Sequence, residues 1–305
     1  MKKLIFIGLL LLQSGAFACD ICGCGVGNQY IGILPEFRKH IFGLRYRTNS
    51  MISHLGDGGS YSYMTSREHY HTMELWGGWN IGRSFRVMAS LPYTWNSRLQ
   101  NGTSSSKQGM GDVQISAFYN LLNKKSTIRE SALLVQSLWV GGGIKLPTGQ
   151  YKSSDKSSSM QQANLFQLGT GSVDYNLSVM YDIRLQDAGL NLNAAYRFNS
   201  INKYEYGYGN KFSISPQLYY KWRLNSNLSV APNAGIMYEH SDKDIDNGFL
   251  VDISGGNLMM GMFGIECTYR QLVMGVSYQS SLSQNLAGGS VAAGNRGMLH
   301  LGYSF

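Results

Sequence analysis

Three cysteines within six residues, Cys19, Cys22 and Cys24 of the run CDICGCG, carry the densest chemistry in the chain. Thiolates are preferred by Cu(I) and accepted by Zn(II), and two backbone turns could bring three sulfurs so spaced around one ion. Gly23 and Gly25 permit the positive φ values that such wrapping needs. The same spacing accommodates a Cys19–Cys22 or Cys19–Cys24 disulfide, which an oxidising compartment favours, or acylation of Cys19. The residues alone leave these uses open, and metal capture would need the reduced, deprotonated form. Cys267 alternates with Phe263, Ile265 and Tyr269 on an outward face, so it is not expected as a fourth ligand.

A second group is Glu68, His69, His71 and Glu74. On a strand His69 and His71 point the same way and could grip Zn(II) or Cu(II), with Glu68 on the opposite face. Exposed polar residues at a strand end serve solubility equally well. No GxSxG, HExxH, GxGxxG or GxxxxGK[ST] occurs, and the expectation is that the protein is not an enzyme. The formal net charge of +8 is spread along the chain without a basic cluster, which gives nucleic-acid binding no support.

The elements that must hold these groups begin after an export signal. Lys2 and Lys3, the apolar run from Leu4 to Leu12 and Ala16-Phe17-Ala18 form its charged, hydrophobic and cleavage regions, so residues 1–18 read as a signal peptide. Residues 19–36 read as a short periplasmic segment, a candidate plug, and residues 37–305 as one further domain. No later apolar run approaches the roughly 18–20 residues of a spanning helix. If the chain enters a membrane, strands must carry it.

Strands are what the patterning predicts. Val113, Ile115, Ala117, Tyr119 and Leu121 alternate with Asp112, Gln114, Ser116 and Asn120, and Val173 to Leu185 repeats the period of two. Runs of this kind fall at 37–48, 65–82, 83–98, 109–122, 129–147, 164–185, 188–200, 208–224, 228–241, 255–269, 271–284 and 294–305. Short connections at 80–83, 123–127, 186–189, 225–227 and 269–271 follow the even-numbered runs, while the others are longer and rich in Gly, Ser, Asn and Asp. An even count with short turns at one end and long loops at the other predicts an all-β fold, a membrane-spanning antiparallel up-and-down β-barrel of about 12 strands. Trp76, Trp79, Tyr93, Trp95, Tyr219, Tyr220 and Trp222 lie near strand ends and are expected at the lipid–water interfaces. The terminal Phe305 follows Leu299, Leu301 and Tyr303 on one face, as in outer-membrane assembly signals.

Three motifs in one stretch, the GMGD that opens a strand at Gly109, the GIKLPTG that closes the next, and the LGTGSVD before the third, resemble a Gram-negative outer-membrane transporter family. That family is named after the meta-cleavage pathway of phenol degradation. The resemblance is close over 109–185 and elsewhere consists of strand rhythm. It implies an outer-membrane location, lipid and a small-molecule permeant as partners, and transport as the activity, without indicating a substrate.

With Phe305 taken as outward, alternation around the barrel places Arg45, Arg47, Glu74, Arg86, Arg98, Asp112, Lys145, Asp174, Asp182, Arg184, Arg197, Lys221, Arg223, Glu239 and His300 toward the lumen. Such charges would either pair with one another or form a mildly anion-favouring lining. The expected function is passive passage of small molecules through an outer-membrane channel. The alternative is a closed barrel that anchors a periplasmic thiolate site for Cu(I) or Zn(II) at Cys19, Cys22 and Cys24.

Overall fold

The computed structural model describes residues 39–128, 132–155 and 164–305. The candidate signal sequence at 1–18, Cys19, Cys22, Cys24 and the candidate plug at 19–36 lie outside the described residues. Twelve antiparallel strands form a closed barrel. They are β1 (Ile41–Ser53), β2 (Ser66–Ile81), β3 (Phe85–Gln100), β4 in two segments (Thr103–Met110 and Val113–Ile128), β5 (Ala132–Leu146) and β6 (Asp174–Leu185). The second half comprises β7 (Ala188–Phe198), β8 (Lys211–Tyr220, continued by Trp222–Arg223), β9 (Leu228–Ser241), β10 (Gly256–Tyr269), β11 (Leu272–Leu286) and β12 (Val291–Ser304). Each strand pairs with its sequence neighbours, and β1 closes on β12 from Ile41↔Ser304 to Ser53↔Val291. Closure leaves the barrel without a first or last strand.

Burial runs opposite to that of a water-soluble barrel. Phe42, Leu44, Leu75, Leu177, Phe263, Ile265, Val276, Leu299 and Leu301 are exposed, while the alternating Arg45, Glu74, Arg86, Asp174 and Glu266 are buried. Lipid is the solvent that makes this pattern stable, because a Leu or Phe side chain gains about 1.5–3 kcal/mol on leaving water. The seam at the turn end is closed by aromatics. His40 stacks on Trp79 at 4.2 Å, Trp79 meets Phe305 at 5.9 Å, and Phe42 meets Tyr303 at 5.8 Å. His40 and Phe305 also exchange two backbone hydrogen bonds of 3.0 Å.

Several connections differ from those the sequence suggests. Residues 123–127 are ladder rather than turn, since β4 pairs with β5 from Lys124↔Gln136 to Ile128↔Ala132. Polar composition there marks a hairpin leaving the bilayer, where period-two pairing continues without a lipid face to bury. At the other end 99–100 and 103–108 are also strand, joined by a turn at Asn101 and Gly102 with φ of 46° and 74°. Positive φ at both central residues is the hairpin turn that Asn-Gly favours. Trp76 and Tyr219 are 3% and 5% exposed, so they sit inside the barrel rather than at a lipid interface. Trp79 is three residues from Trp76 and Tyr220 adjoins Tyr219, so alternation puts each pair on opposite faces.

Three apolar groups fill parts of the interior. Trp76, Met88, Phe118, Trp139 and Met180 cluster in the turn half. Met237, Leu258, Met260 and Met262 cluster between β9 and β10. Met51, Tyr70, Tyr151, Phe166, Leu168, Tyr206, Tyr208 and Val251 cluster at the loop end. Most of the last group belongs to loops folded into the barrel mouth.

Candidate functional site: a loop stopper and its buried latch

The three sequence motifs converge on one point of the interior. β4 is interrupted at Gly111 and Asp112 because its partner Pro92 has no N–H to continue the ladder, although the Gly111 N–H still reaches the Pro92 carbonyl at 2.8 Å. Asp112 lies at this break and is 2% exposed. Its Oδ1 accepts the N–H of Gly149 at 2.9 Å, and its Oδ2 accepts the N–H of Thr170 at 3.0 Å and the Thr170 hydroxyl at 3.1 Å. The Lys145 ammonium lies 3.3 Å from Asp112 Oδ2 and also pairs with Asp174. Asp174 accepts the Ser172 hydroxyl at 2.8 Å and the N–H of Ser200 at 3.0 Å.

Glycine is needed where the motif has it. A Cβ on Gly149 or Gly169 would lie 2.9 or 2.7 Å from Asp112 Oδ1, and the two backbones touch each other. Thr148 completes the clasp, donating to the Gly111 carbonyl at 2.6 Å and accepting the Val113 N–H at 2.9 Å. One buried cation and two buried carboxylates thus pin both described stretches of the β5–β6 connection, 147–155 and 164–173, to three strands. Breaking a buried pair of this kind costs about 3–5 kcal/mol, because the remaining charge is left uncompensated.

The stopper has two further anchors. Phe166 lies under Arg98 and Lys107, whose charged groups are 4.2 and 4.7 Å from its ring centre, and Tyr70 meets its edge at 6.4 Å. Arg98 in turn pairs with Glu68 at 2.7 Å, and Glu68 also accepts from Tyr70. In the second anchor the Tyr206 hydroxyl donates to Asp244 at 2.6 Å and accepts the N–H of Asn164 at 3.0 Å. Burial raises the pKa of both Asp244 and Tyr206, and for Tyr206 the neighbouring Asp244 charge adds to it. Tyr206–Gly207, Ile245–Asp246 and Phe249–Leu250 form a small sheet that ties the 199–210 loop to the 242–255 loop.

Beyond the stopper several inward charges have polar or ionic partners. Arg45 and Arg47 lie 3.0 and 3.5 Å from Glu74, and Arg45 also covers the Trp76 ring at 4.9 Å. Arg296 pairs with Glu239 at 2.9 Å, Arg197 donates to Gln114 at 3.2 Å, and Tyr219 donates to Asp182 at 3.0 Å. At the turn end a cavity of about 620 Å³ is lined by Lys39, Lys221, Arg223 and Arg270, with no acidic side chain among the described residues.

Of the side chains that alternation turns inward, Arg45, Glu74, Arg86, Asp112, Lys145, Asp174, Arg197 and His300 are buried. Arg47, Arg98, Asp182, Arg184, Lys221 and Glu239 are half-buried. Arg223 is 56% exposed and pairs with Asp187 at 3.0 Å. Glu68, Thr170 and Ser172 are missing from that set. Glu68 shares the parity of Glu74 on β2, which is the signal that marks it, whereas Thr170 and Ser172 are loop residues that periodicity cannot place. His69 and His71 are not joined by Glu68, which is fully buried, and His71 instead bonds the Tyr46 hydroxyl at 2.8 Å. Among the described residues no group of three or more His, Cys, Asp or Glu could hold a metal ion.

No curated protein matches the chain. Solved structures that share its fold include the following two. The COG4313 outer membrane channel from Pseudomonas putida F1 is 11% identical, with a TM-score of 0.60 over 90% of this chain and 100% of that one. The beta domain of the Bordetella autotransporter BrkA is also 11% identical, with a TM-score of 0.51 over 88% of this chain and 100% of that one. Residues 55–258, which include the whole latch, match the model of the family described as "Putative MetA-pathway of phenol degradation", and the chain belongs to that family.

Proposed function

We propose that the protein is an outer-membrane channel for passive passage of small molecules, closed at its loop end by the stopper and opened when the Asp112–Lys145–Asp174 latch lets go. The observation that carries this reading is the kind of bond at the loop end. A permanent seal would need only apolar packing, yet here the described loop stretches are attached through ion pairs, hydroxyls and backbone N–H groups that water can replace one for one. Short turns lie on the periplasmic side in barrels of this type, so the stopper would face outward and the basic cavity inward. That cavity gives the route a weak preference for anions.

The contrary reading, a closed barrel that displays Cys19, Cys22 and Cys24, gains from the amount of side chain packed in the lumen. Planar-bilayer recording separates the two. The channel reading expects discrete conductance from the wild type, and a higher open fraction from Asp112→Asn. Bilayers that stay silent with both proteins would leave the anchor reading in its place.

A further inference from the structure

We infer that Met237, Met260 and Met262 form a binding site for a soft monovalent cation, Cu(I) or Ag(I), on the inner wall of the barrel. Met237 and Met260 are direct cross-strand partners on β9 and β10, and Met262 follows two residues along the same face of β10. The three are 1%, 0% and 6% exposed and belong to one packed cluster. The residue opposite Met262 is Gly235, where a Cβ would stand 2.8 Å from Cγ of Gln217. Glycine therefore lets the Gln217 side chain cross β9 and reach Met262, with its amide nitrogen 3.8 Å from the thioether sulfur.

Gln217 is the independent observation that points to a ligand. It is 2% exposed, and its Oε1 is buried with no hydrogen-bond partner. Leaving a buried carbonyl oxygen unsatisfied costs about 1–3 kcal/mol, so such a group is expected where a further partner binds. Ser277 on β11, whose strand pairs with β10 through Met262↔Gln279, is 8% exposed and likewise has an unpartnered Oγ. Methionine also fills irregular gaps in a core. Gap filling would account for the three thioethers but not for an amide brought against one of them with its oxygen unmatched.

The donor set selects the ion. Thioethers are soft and neutral, need no deprotonation, and favour Cu(I) and Ag(I) over hard divalent ions. The carboxylate of Glu239 is already paired with Arg296 at 2.9 Å, so it is not free to recruit Ca(II) or Mg(II). The inference does not depend on whether the barrel conducts, and it involves none of the cysteines.

The test uses the full chain in detergent with Cys19, Cys22, Cys24 and Cys267 all replaced by Ser, titrated with Ag(I), with silver counted by mass spectrometry after gel filtration. About one Ag(I) per chain is expected to survive, as thioether ligation predicts. Met237→Leu, Met260→Leu and Met262→Leu together should weaken binding at least about tenfold, and Gln217→Leu alone should weaken it less. Met88→Leu with Met180→Leu should leave binding unchanged. Leu for Met conserves volume and costs under about 1.5 kcal/mol, so the barrel should still assemble, which heat-modifiable gel migration verifies. Should the triple variant not assemble, Met260→Leu and Gln217→Leu are read singly by the same measure. A cysteine-free chain that holds no silver, or Met and Gln217 variants that hold as much as their parent, would overturn the site.

Discussion

The two halves of the lumen are filled by different means. In the turn half, Trp76, Met88, Phe118, Trp139 and Met180 stand on strands, and the ladder that fixes each backbone also fixes where its side chain goes. At the loop end, Tyr151, Phe166, Leu168, Tyr206 and Val251 belong to connections, and they reach the interior because Asp112, Lys145, Asp174 and Asp244 bind the loop backbone and side chains there. Filling carried by strands can move only if the barrel deforms. Filling carried by loops can leave if a few polar bonds exchange with water, so any opening of the lumen should begin at the loop end.

Lys145→Met should break this contrast most severely. It leaves Asp112 and Asp174 buried without their cation, at a cost of about 3–5 kcal/mol to the seated stopper. The expected outcome is a large rise in open fraction in bilayers with heat-modifiable gel migration retained; an unchanged conductance would show that the latch does not hold the mouth shut. Trp139→Ala should do the reverse. Truncating this buried ring costs about 3–5 kcal/mol of barrel stability, seen as a lower unfolding temperature on unheated-to-heated gels, while gating stays as in the wild type. If Trp139→Ala instead opens the channel, both halves of the lumen control passage.

Phe166→Leu sharpens the comparison within the stopper. It keeps apolar bulk but removes the ring under Arg98 and Lys107, a loss of about 1 kcal/mol, so open fraction should rise by less than in Lys145→Met. The smallest effect is expected at the exposed Arg223–Asp187 pair. Arg223→Gln should change stability by under about 1 kcal/mol, because exposed pairs are screened and entropically costly, yet it should weaken anion preference measurably through the turn-end cavity. Reversal potentials identical to the wild type would remove that cavity from the permeation route.

Much of the barrel was legible because lipid imposes a rule that sequence records directly. An outward Leu299 or Leu301 and an inward His300 must alternate, and one slipped residue would turn every side chain of β12 to the wrong solvent. Legibility failed where that rule lapses. Residues 123–127, 99–100 and 103–108 are polar strand segments in which pairing persists but alternation of polarity does not. The candidate site was legible in part. Asp112, Lys145 and Asp174 could be turned inward by parity, but nothing local states that three strands deliver them to one place.

Sequence by itself determined the strand-rich class, the alternation that requires lipid outside, the even count, and membership in a family through the GMGD, GIKLPTG and LGTGSVD runs. Each of these depends on neighbours one or two residues apart, within the reach of a pattern. Tertiary structure alone decided that those runs meet as a latch, that Trp76 faces Arg45 rather than lipid, and that Met237, Met260 and Met262 gather beside Gln217. These are contacts between strands distant in sequence, set by the closure of the barrel and the register of each pair, and no single strand encodes them.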